Sequence, residues 1–366
     1  MDIIIFLIVL AILIIAHEFG HFIVAKKSGI RVDEFAIGFP PKIWSKKIGE
    51  TKYSLNLIPF GGFVKIFGED PDKESISGPD SHRSFVNKPK HIQAAVISAG
   101  VFFNILLAWL LISIGLVSGL PMPVNFAPEN TEVINSSLVI TSVAVDSPAF
   151  IAGIKAGDKI SALTTNTEAL QEVDVKSMQN FIATHEGEEI FVLYKRAKME
   201  PRALSVIPES GLLEDRAAIG VSMDMIGTLK LPIHQAFWEG AKMTINLTMA
   251  IAVGFVNLIM DAFTGEADIK NISGPVGIIG LIGSAAEFGF VYLLGFTAFI
   301  SINLAIINML PFPALDGGRL FFLLIEVIKG SPIKPKIANT ANFIGFVLLI
   351  LLMVIVTFND VVKLVG

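Results

Sequence analysis

The first hydrophobic stretch constrains the fold most, because it places ionisable side chains inside an apolar run. Residues 3–25 read IIIFLIVLAILIIAHEFGHFIVA and contain His17, Glu18 and His21. At about 1.5 Å per helical residue, the stretch can cross the hydrocarbon core of a bilayer, which is about 30 Å thick. Ionisable groups at that depth persist mainly where they are paired, bound to a metal or functional. The stretch therefore predicts a membrane span that carries a functional site.

The spacing of the three side chains indicates what that site does. His17 and His21 are four residues apart and share one face of a helix, which is the H-E-x-x-H arrangement that binds zinc. Glu18 lies beside them, where it can take a proton from a water molecule activated by the metal. A helix end with three incidental polar residues is the alternative, and it does not explain why they stand inside a span. We interpret the pattern as a protease site within a membrane.

Composition supports a membrane protein and limits the possible metal ligands. Hydrophobic residues make up 53% of the 366-residue chain and charged residues only 17%, against about 25% in soluble domains. The chain has no cysteine, so a metal must be held by His, Asp or Glu and no disulfide forms. The net charge of −5 gives no indication of nucleic acid as a partner. Membrane lipid is the expected surrounding of much of the chain.

The charges that follow the first span predict its orientation. The chain starts Met1-Asp2, without the basic residues of a cleaved signal peptide, so we expect this span to be retained. Residues 26–91 contain twelve Lys and Arg, the largest basic cluster in the sequence. Since basic loops stay in the cytoplasm, the N-terminus is predicted outside and this loop inside.

Within the basic loop, residues 51–66 have the pattern of a β-hairpin. Residues 53–57 alternate apolar and polar side chains, and residues 63–66 resume the pattern after Pro-Phe-Gly-Gly. A sheet at the membrane edge could bind an unwound substrate as an added strand. A small hairpin on the cytosolic surface is an equally open alternative. The residues predicted to hold the substrate strand are Leu55, Leu57, Gly61, Gly62 and Phe63.

Residues 92–120 form a second predicted span and complete an N-terminal membrane part, residues 1–120. Its small residues Ser98, Ala99 and Gly100 would let another helix approach closely. For Asn104 we favour a hydrogen bond between helices over a catalytic role.

Residues 121–231 have the composition of a soluble domain, in which acidic residues outnumber basic ones. Ser147 to Ile160 reads S-P-A-x-x-A-G-I-x-x-G-D-x-I, which closely resembles the signature of bacterial PDZ domains. The length suffices for one such domain, inserted between the two membrane parts. PDZ domains capture peptide ends or extended segments along a strand edge. A β-rich domain without a ligand stays open, since a fold does not prove binding.

The C-terminal membrane part, residues 232–366, contains predicted spans at 289–310 and 341–358. Asp316 follows the first of these, so it reaches the two histidines only if that span starts outside, on the side of the PDZ-like domain. A membrane crossing at 237–263 would instead make the span at 289–310 start in the cytoplasm, which would place Asp316 on the outer side. We therefore predict that 237–263 is an interfacial helix on the outer face, followed by a turn at 271–277.

The third metal ligand is expected at the depth of the first two. Catalytic zinc usually takes three protein ligands and keeps one position for water. Asp316 follows a helix end broken by prolines and precedes two glycines, where the backbone can bend towards the histidines. An ordinary turn residue is the alternative interpretation. With His17 and His21, Asp316 would complete a site for one Zn²⁺ per chain.

Three motifs together resemble a known family. They are H-E-F-G-H in the first span, N-x-x-P-x-P-x-L-D-G at residues 308–317, and the PDZ-like insert between them. The whole chain resembles the site-2 protease family, in particular the RseP-type bacterial intramembrane zinc metalloproteases. The resemblance also covers Gly-Gly-Phe-Val-Lys at 61–65 and Ser-Gly-Pro-Val-Gly at 273–277. Better-known members have two PDZ domains where this chain has room for one.

The resemblance implies roles for individual residues. It makes His17, His21 and Asp316 the zinc ligands and Glu18 the general base. It also implies that Asn308 and Asn303 bind the substrate or stabilise the transition state. Val101 stands where many relatives have proline, with no evident consequence for catalysis.

The predicted fold class is a polytopic α-helical membrane protein with about four spans, a β-hairpin at the membrane edge and an inserted PDZ-like domain. The family implies cleavage of single-span membrane proteins, such as anti-sigma factors already cut outside, and of remnant signal peptides, with the PDZ-like domain gating substrates. It implies the bacterial inner membrane, with both termini and the PDZ-like domain outside and the active site towards the cytoplasm. The alternatives are a catalytically silent peptide-binding scaffold and a membrane metal transporter.

Overall fold

The computed structural model describes residues 2–128, 131–196, 199–213, 216–265 and 274–365. Helices and strands both occur, and they are numbered in chain order. The helices are α1 (Asp2–Lys27), α2 (Lys73–Ser77), α3 (Lys90–Ser118), α4 (Pro148–Ala152), α5 (Val175–Thr184), α6 (Ile233–Thr264), α7 (Pro275–Phe288), α8 (Phe290–Met309), α9 (Asp316–Lys329) and α10 (Pro335–Val365). The strands are β1 (Val32–Ile48), β2 (Thr51–Ile66), β3 (Leu120–Pro123), β4 (Val133–Val143), β5 (Lys159–Thr164), β6 (Ile190–Lys195), β7 (Arg202–Val206), β8 (Glu209–Leu213), β9 (Arg216–Ala218) and β10 (Val221–Leu229).

These elements divide into two compact units. The membrane unit comprises Met1–Ile114, Phe237–Ala286 and Leu293–Gly366, and the β-rich unit comprises Gly115–Ala236 and Glu287–Tyr292. The predicted PDZ-like segment, residues 121–231, falls within the β-rich unit.

Five helices of the described chain, α1, α3, α6, α8 and α10, are long and apolar enough to cross a membrane by length and composition. The four spans predicted from the sequence fall on α1, α3, α8 and α10. The segment at 237–263 forms most of α6, and its length and composition do not decide between crossing the membrane and lying on it. Its interfacial position stays a prediction. The predicted turn at 271–277 is described only from residue 274 onwards.

The membrane unit is held together around α1. Val9 and Leu13 of α1 pack in a buried cluster with Ile282 of α7, and partly buried side chains of α8 join the same cluster. On another face, α1 meets α3 through its backbone, because a Cβ on Gly20 would lie 2.4 Å from the Ala99 carbonyl oxygen. Small residues permit such approaches between membrane helices, as predicted for this part of α3.

The two ends of α10 contact opposite ends of the segment from α7 to α8. Near its start, the Asn342 side chain accepts a hydrogen bond of 3.2 Å from the Ala314 backbone N–H, just beyond α8. Near its end, the Asp360 carboxylate accepts bonds of 3.0 and 2.8 Å from the N–H groups of Gly274 and Gly277. The start of α7 and the end of α8 therefore lie at opposite ends of α10.

Strands β1 and β2 form a sheet against α1, and its pairing corrects the predicted hairpin. The sequence predicted that the two halves of residues 51–66 pair with each other. In the structure each half pairs with β1: residues 34–37 lie between 62–65 on one side and 52–55 on the other, and residues 42–48 lie opposite 51–56. The reason is that residues 32–48, which the sequence analysis left in a loop, supply the partner strand. Buried residues tie this sheet to α1, namely Phe22, Ala25, Ile30, Val32 and Ile66.

The β-rich unit contains a six-stranded sheet with the strand order β3-β10-β4-β5-β6-β7. The Ser-Pro-Ala motif begins α4, where Ser147 accepts a hydrogen bond from the Phe150 N–H, and Gly153 ends α4 with φ 86°. Asp158 is fully buried and forms an ion pair of 2.6 Å with Arg196, and the hydrogen bond from Arg196 raises the pKa of its guanidinium. Gly153 and Asp158 of the motif therefore have structural roles, which by themselves do not imply a ligand.

The absence of cysteine allows the predicted topology to be tested by single cysteine substitutions at exposed positions. Cysteines at Ser77 and Ser331 should react with a membrane-impermeant maleimide only from the cytoplasmic side. Cysteines at Asn180 and Thr264 should react only from outside. Labelling is measured in sealed vesicles of both orientations. Reaction of the Thr264→Cys variant only from the cytoplasmic side would make α6 a crossing helix. It would contradict the prediction that this segment lies on the outer face.

Candidate metal centre

Three side chains from α1 and α9 present their ligand atoms to one point. The Nε2 atoms of His17 and His21 lie 3.2 Å apart, and Asp316 Oδ2 lies 3.1 Å from the first and 3.3 Å from the second. Zinc held tetrahedrally by bonds of about 2.0–2.1 Å separates its ligand atoms by about 3.3 Å. The three atoms therefore match the spacing that zinc requires, and the structure brings together the three ligands expected from the sequence.

The hydrogen-bonding state of Asp316 also fits a cation. Its Oδ2 atom is buried and receives no hydrogen bond within the described chain, although two imidazole nitrogens face it. A buried carboxylate oxygen without a donor is costly, and such groups are usually paired or coordinate metals. The donor set of two imidazoles and one carboxylate is typical of catalytic zinc, which keeps a further position for water.

The local sequence explains how each ligand reaches this point. His17 and His21 stand on successive turns of α1. Asp316 is the first residue of α9, after a chain reversal in which Ala314 has φ 76°. A Cβ on Gly317 or Gly318 would lie 2.2 Å from the carbonyl oxygen of Leu310 or Phe312, respectively. Two glycines are therefore required for the tight return that brings the carboxylate to α1.

One face of α3 supports the two imidazoles. The Nδ1 atom of His21 donates to the Val96 carbonyl oxygen at 2.8 Å, and the Asn104 amide nitrogen lies 3.2 Å from Nδ1 of His17. Between them stands Gly100, whose added Cβ would lie 2.4 Å from His21 Nε2 and 2.6 Å from His17 Cε1. The helix–helix hydrogen bond predicted for Asn104 exists, and its partner is a candidate metal ligand. The Val96 contact was missed because a backbone carbonyl leaves no signal in a sequence.

A cavity of about 240 Å³ opens onto the metal-ligand candidates. Glu18 lines it and stands close to Gly62 of β2, whose added Cβ would lie 3.5 Å from the Glu18 Cγ atom. Phe63, Val64 and Ile66 of β2 line the same cavity. Its wall also contains an ion pair between Arg319 and Glu69 that the sequence did not predict.

The remaining predicted site residues lie farther from this cavity. Asn303 donates to the Phe299 carbonyl oxygen of its own helix at 2.8 Å. Asn308 makes no side-chain hydrogen bond within the described residues, and neither asparagine is among the residues that line the cavity. Leu55 and Leu57 belong to the other half of β2 and are exposed. The structure thus places Glu18, Gly62 and Phe63 around the metal-ligand candidates, whereas the asparagines and the two leucines lie outside this group.

Gly100 provides a test of how closely α3 supports the histidines. Gly100→Ala should displace one or both imidazoles, because the new methyl group overlaps their ring atoms. We expect zinc binding to weaken by roughly tenfold to a hundredfold, the range found when groups that orient metal ligands are disturbed. Zinc content of the purified protein is the measurement. Gly254→Ala is the matched control, since an added Cβ there meets no atom within 4 Å. Full zinc content in Gly100→Ala would show that the histidines do not depend on this contact.

Comparison with known proteins identifies the family of this site. The chain matches Peptidase family M50 over residues 5–352. A Clostridium perfringens relative, named as a zinc metalloprotease, is 37% identical over 363 residues, with 99% of each chain covered. The Bacillus subtilis regulator of sigma-W protease RasP is 31% identical over 436 residues, with 98% of each chain covered. The Yersinia pestis protease RseP is 30% identical over 448 residues, with 97% of each chain covered.

The lengths of these alignments distinguish the relatives. Those with RasP and RseP run over 436 and 448 positions, more than the 366 residues of this chain, so both relatives contain residues that this chain lacks. The Clostridium alignment has no such excess.

The family match extends over both membrane parts of the chain and includes the two histidines and Asp316. The chain belongs to peptidase family M50, the site-2 protease family, and is a membrane-embedded zinc metalloprotease.

Proposed function

We propose that this protein cleaves peptide bonds within or near transmembrane segments of single-span membrane proteins. His17, His21 and Asp316 hold one zinc ion in this proposal, and Glu18 is the general base. The observation that carries it is the meeting of three ligand atoms within 3.3 Å, two from the apolar helix α1 and one from the start of α9, beside a cavity that Glu18 also lines. Groups of this kind are retained at membrane depth mainly for function.

The proposed chemistry assigns the proton transfers to Glu18. Bound zinc supplies Lewis-acid activation of a water molecule and of the peptide carbonyl. The Glu18 carboxylate accepts a proton from that water as it attacks, and then delivers a proton to the leaving amine nitrogen. Its place on α1, next to His17 and facing the same cavity, supports this role.

Asn308 is proposed to donate a hydrogen bond to the oxyanion, a contribution worth about 3–4 kcal/mol in other enzymes. Its position in the last turn of α8, shortly before the reversal that leads to Asp316, supports this assignment. Asn303, about one turn earlier on the same helix, is proposed to contact the substrate. Because the oxyanion forms beside the metal centre, this role requires Asn308 to approach the cavity that Glu18 lines when substrate binds, whereas Asn303 would contact a part of the substrate outside the cavity.

A substrate strand is proposed to add to residues 62–66 of β2. A helical substrate hides its carbonyl groups in its own hydrogen bonds, so it must unwind before it is cut. Residues 62–66 pair on one side with residues 32–37, and the described chain places no strand on their other side. Phe63 and Val64 line the cavity at that edge, which supports strand addition next to the metal centre. Leu55 lies in the strand on the opposite side of residues 34–37, so it and Leu57 would support this sheet and not contact the added strand.

The wider setting is also a proposal. The name of the Bacillus subtilis relative, a regulator of sigma-W, supports anti-sigma factors as substrates, and remnant signal peptides are a second candidate class. We propose the bacterial inner membrane as the location, with both termini outside and the metal centre towards the cytoplasm. The β-rich unit is proposed to act as a PDZ-like gate that admits substrates already trimmed on the outer side. A silent scaffold and a metal transporter are disfavoured, since the relatives are named proteases.

Glu18→Gln separates metal binding from chemistry. The variant should keep its zinc, because the side chain stays nearly the same size and is not proposed as a ligand. Cleavage of a single-span model substrate should fall by roughly 10²–10⁴-fold, the usual contribution of a general base. His17→Ala, His21→Ala and Asp316→Asn should instead lose zinc, because each removes or neutralises a ligand. Zinc content and cleavage are measured on purified variants in detergent.

The outcomes of this comparison are distinct. Loss of zinc in Glu18→Gln would make Glu18 a ligand, and unchanged zinc in Asp316→Asn would leave the third ligand unassigned. Full cleavage by Glu18→Gln would reject the protease mechanism proposed here.

Removal of the β-rich unit tests the gating proposal. Pro123 and Ile226 are paired residues of β3 and β10, so a short linker can replace residues 124–225 across a gap of about 5 Å. The shortened protein should cleave substrates that have not been trimmed outside, and its zinc content should stay unchanged. Cleavage of a long and a trimmed substrate is compared with that of the intact chain. If the shortened protein kept the preference for trimmed substrates, the gate would have to lie elsewhere.

A further inference from the structure

Asn104 of α3 is wholly buried beside the metal centre, and the proposed chemistry does not use it. Its Nδ2 atom lies 3.2 Å from His17 Nδ1, while its Oδ1 atom is buried without a hydrogen-bond donor among the described residues. A buried amide oxygen without a donor is unfavourable, and it indicates a partner that the arrangement has yet to supply.

The protonation of His17 identifies that partner. A neutral imidazole has one N–H and one lone pair, and a nitrogen that binds zinc must provide its lone pair. The Nε2 atom of His17 faces His21 and Asp316, so the proton must be on Nδ1. An N–H needs an acceptor, which an amide NH₂ group cannot be. Half a turn of the Asn104 amide exchanges its two ends and presents Oδ1 to this N–H.

We propose that Asn104 is a positioning residue for the zinc site, which accepts the His17 Nδ1–H with its side-chain oxygen. This hydrogen bond fixes the tautomer and the ring orientation in which His17 Nε2 can bind zinc. The inference rests on the proposed role of His17 as a zinc ligand. It also gives the buried Oδ1 atom its donor.

The neighbouring histidine has the same arrangement, which supports the inference. His21 Nδ1 donates to the Val96 carbonyl oxygen at 2.8 Å, so its proton is also on Nδ1. Val96, Gly100 and Asn104 follow at steps of four and share one face of α3. Gly100 leaves room for both rings, and one acceptor stands on each side of it. The acceptor for His21 is backbone and that for His17 is a side chain, so only the second can be removed by substitution.

The side chain of Asn104 is free for this role because the backbone makes the helix contact. Ser301 of α8 donates from Oγ to the Asn104 carbonyl oxygen at 2.7 Å, and both residues are fully buried. This bond joins α3 to α8 whatever side chain stands at position 104. A substitution there can therefore change the hydrogen bond to His17 while the bond from Ser301 is kept.

Two substitutions of similar size separate the hydrogen bond from packing. Asn104→Leu removes the acceptor, whereas Asn104→Asp keeps an oxygen that can accept from Nδ1–H. Ser113→Ala is the control, because Ser113 is also buried on α3 and, among the residues that the structure describes, bonds only to its own helix, through the Trp109 carbonyl oxygen. The full-length variants are purified in detergent. Zinc affinity is measured by competition with a chelator, the ligand field by the visible spectrum of the cobalt(II) form, and folding by the melting temperature of the metal-free protein.

Asn104→Leu should weaken zinc binding by roughly tenfold to a hundredfold and alter the cobalt spectrum, while the metal-free protein melts no earlier than the parent. Asn104→Asp and Ser113→Ala should stay close to the parent in both metal readouts. Parental zinc affinity in Asn104→Leu would overturn the inference. So would equal zinc loss in Asn104→Leu and Asn104→Asp, or a melting temperature of the metal-free protein that falls together with zinc affinity.

His17→Ala in the same assay separates this inference from the proposed function. Retained zinc in His17→Ala would reject His17 as a ligand, and with it the role of Asn104. Zinc loss in His17→Ala with parental binding in Asn104→Leu would reject the role of Asn104 alone.

Discussion

The mutual approach of His17, His21 and Asp316 is the constraint on which the membrane unit depends. Three ligand atoms within 3.3 Å of one another place two lone pairs and a carboxylate oxygen face to face. Without a cation this arrangement is repulsive and poorly solvated. Much of the surrounding structure keeps these atoms together. The ligand atoms are held together by three features: the chain reversal before α9, the glycines at 317 and 318, and the face of α3.

Glycines determine how closely the elements around the metal centre approach. On α1 and α3, Gly20 and Gly100 bring backbone or imidazole atoms to distances that no side chain permits. On β2, an added Cβ at Gly62 would lie 2.9 Å from the Ala36 carbonyl oxygen, so this glycine permits the close approach of β1 and β2 near Glu18. At Gly100 the missing side chain creates the space in which the two imidazole rings lie. The metal centre is thus built by close backbone packing as much as by its ligands.

The sequence allowed the candidate site to be predicted more completely than its surroundings. Two local patterns can be recognised without tertiary information. They are the spacing of His17 and His21 on an apolar helix and the Pro-rich break before Asp316. The sheet was predicted with the wrong partner, because strand pairing depends on residues 32–48, whose Pro-Pro pair and lysine-rich end carry little alternation. The Val96 carbonyl and the ion pair of Arg319 with Glu69 were not predictable, since they depend on contacts between distant segments. For α6, length and apolarity alone leave its path undecided.

The contact between Gly20 and Ala99 has a consequence for how the enzyme responds to its lipid. Helices adjust to a bilayer of different thickness by tilting. Since α1 and α3 touch through backbone at this point, they tilt as a pair, and the two histidines keep their support from α3. The bond from Ser301 of α8 to the Asn104 carbonyl oxygen ties the helix that leads to Asp316 to the same pair, so all three metal-ligand candidates are coupled through α3 when the helices tilt.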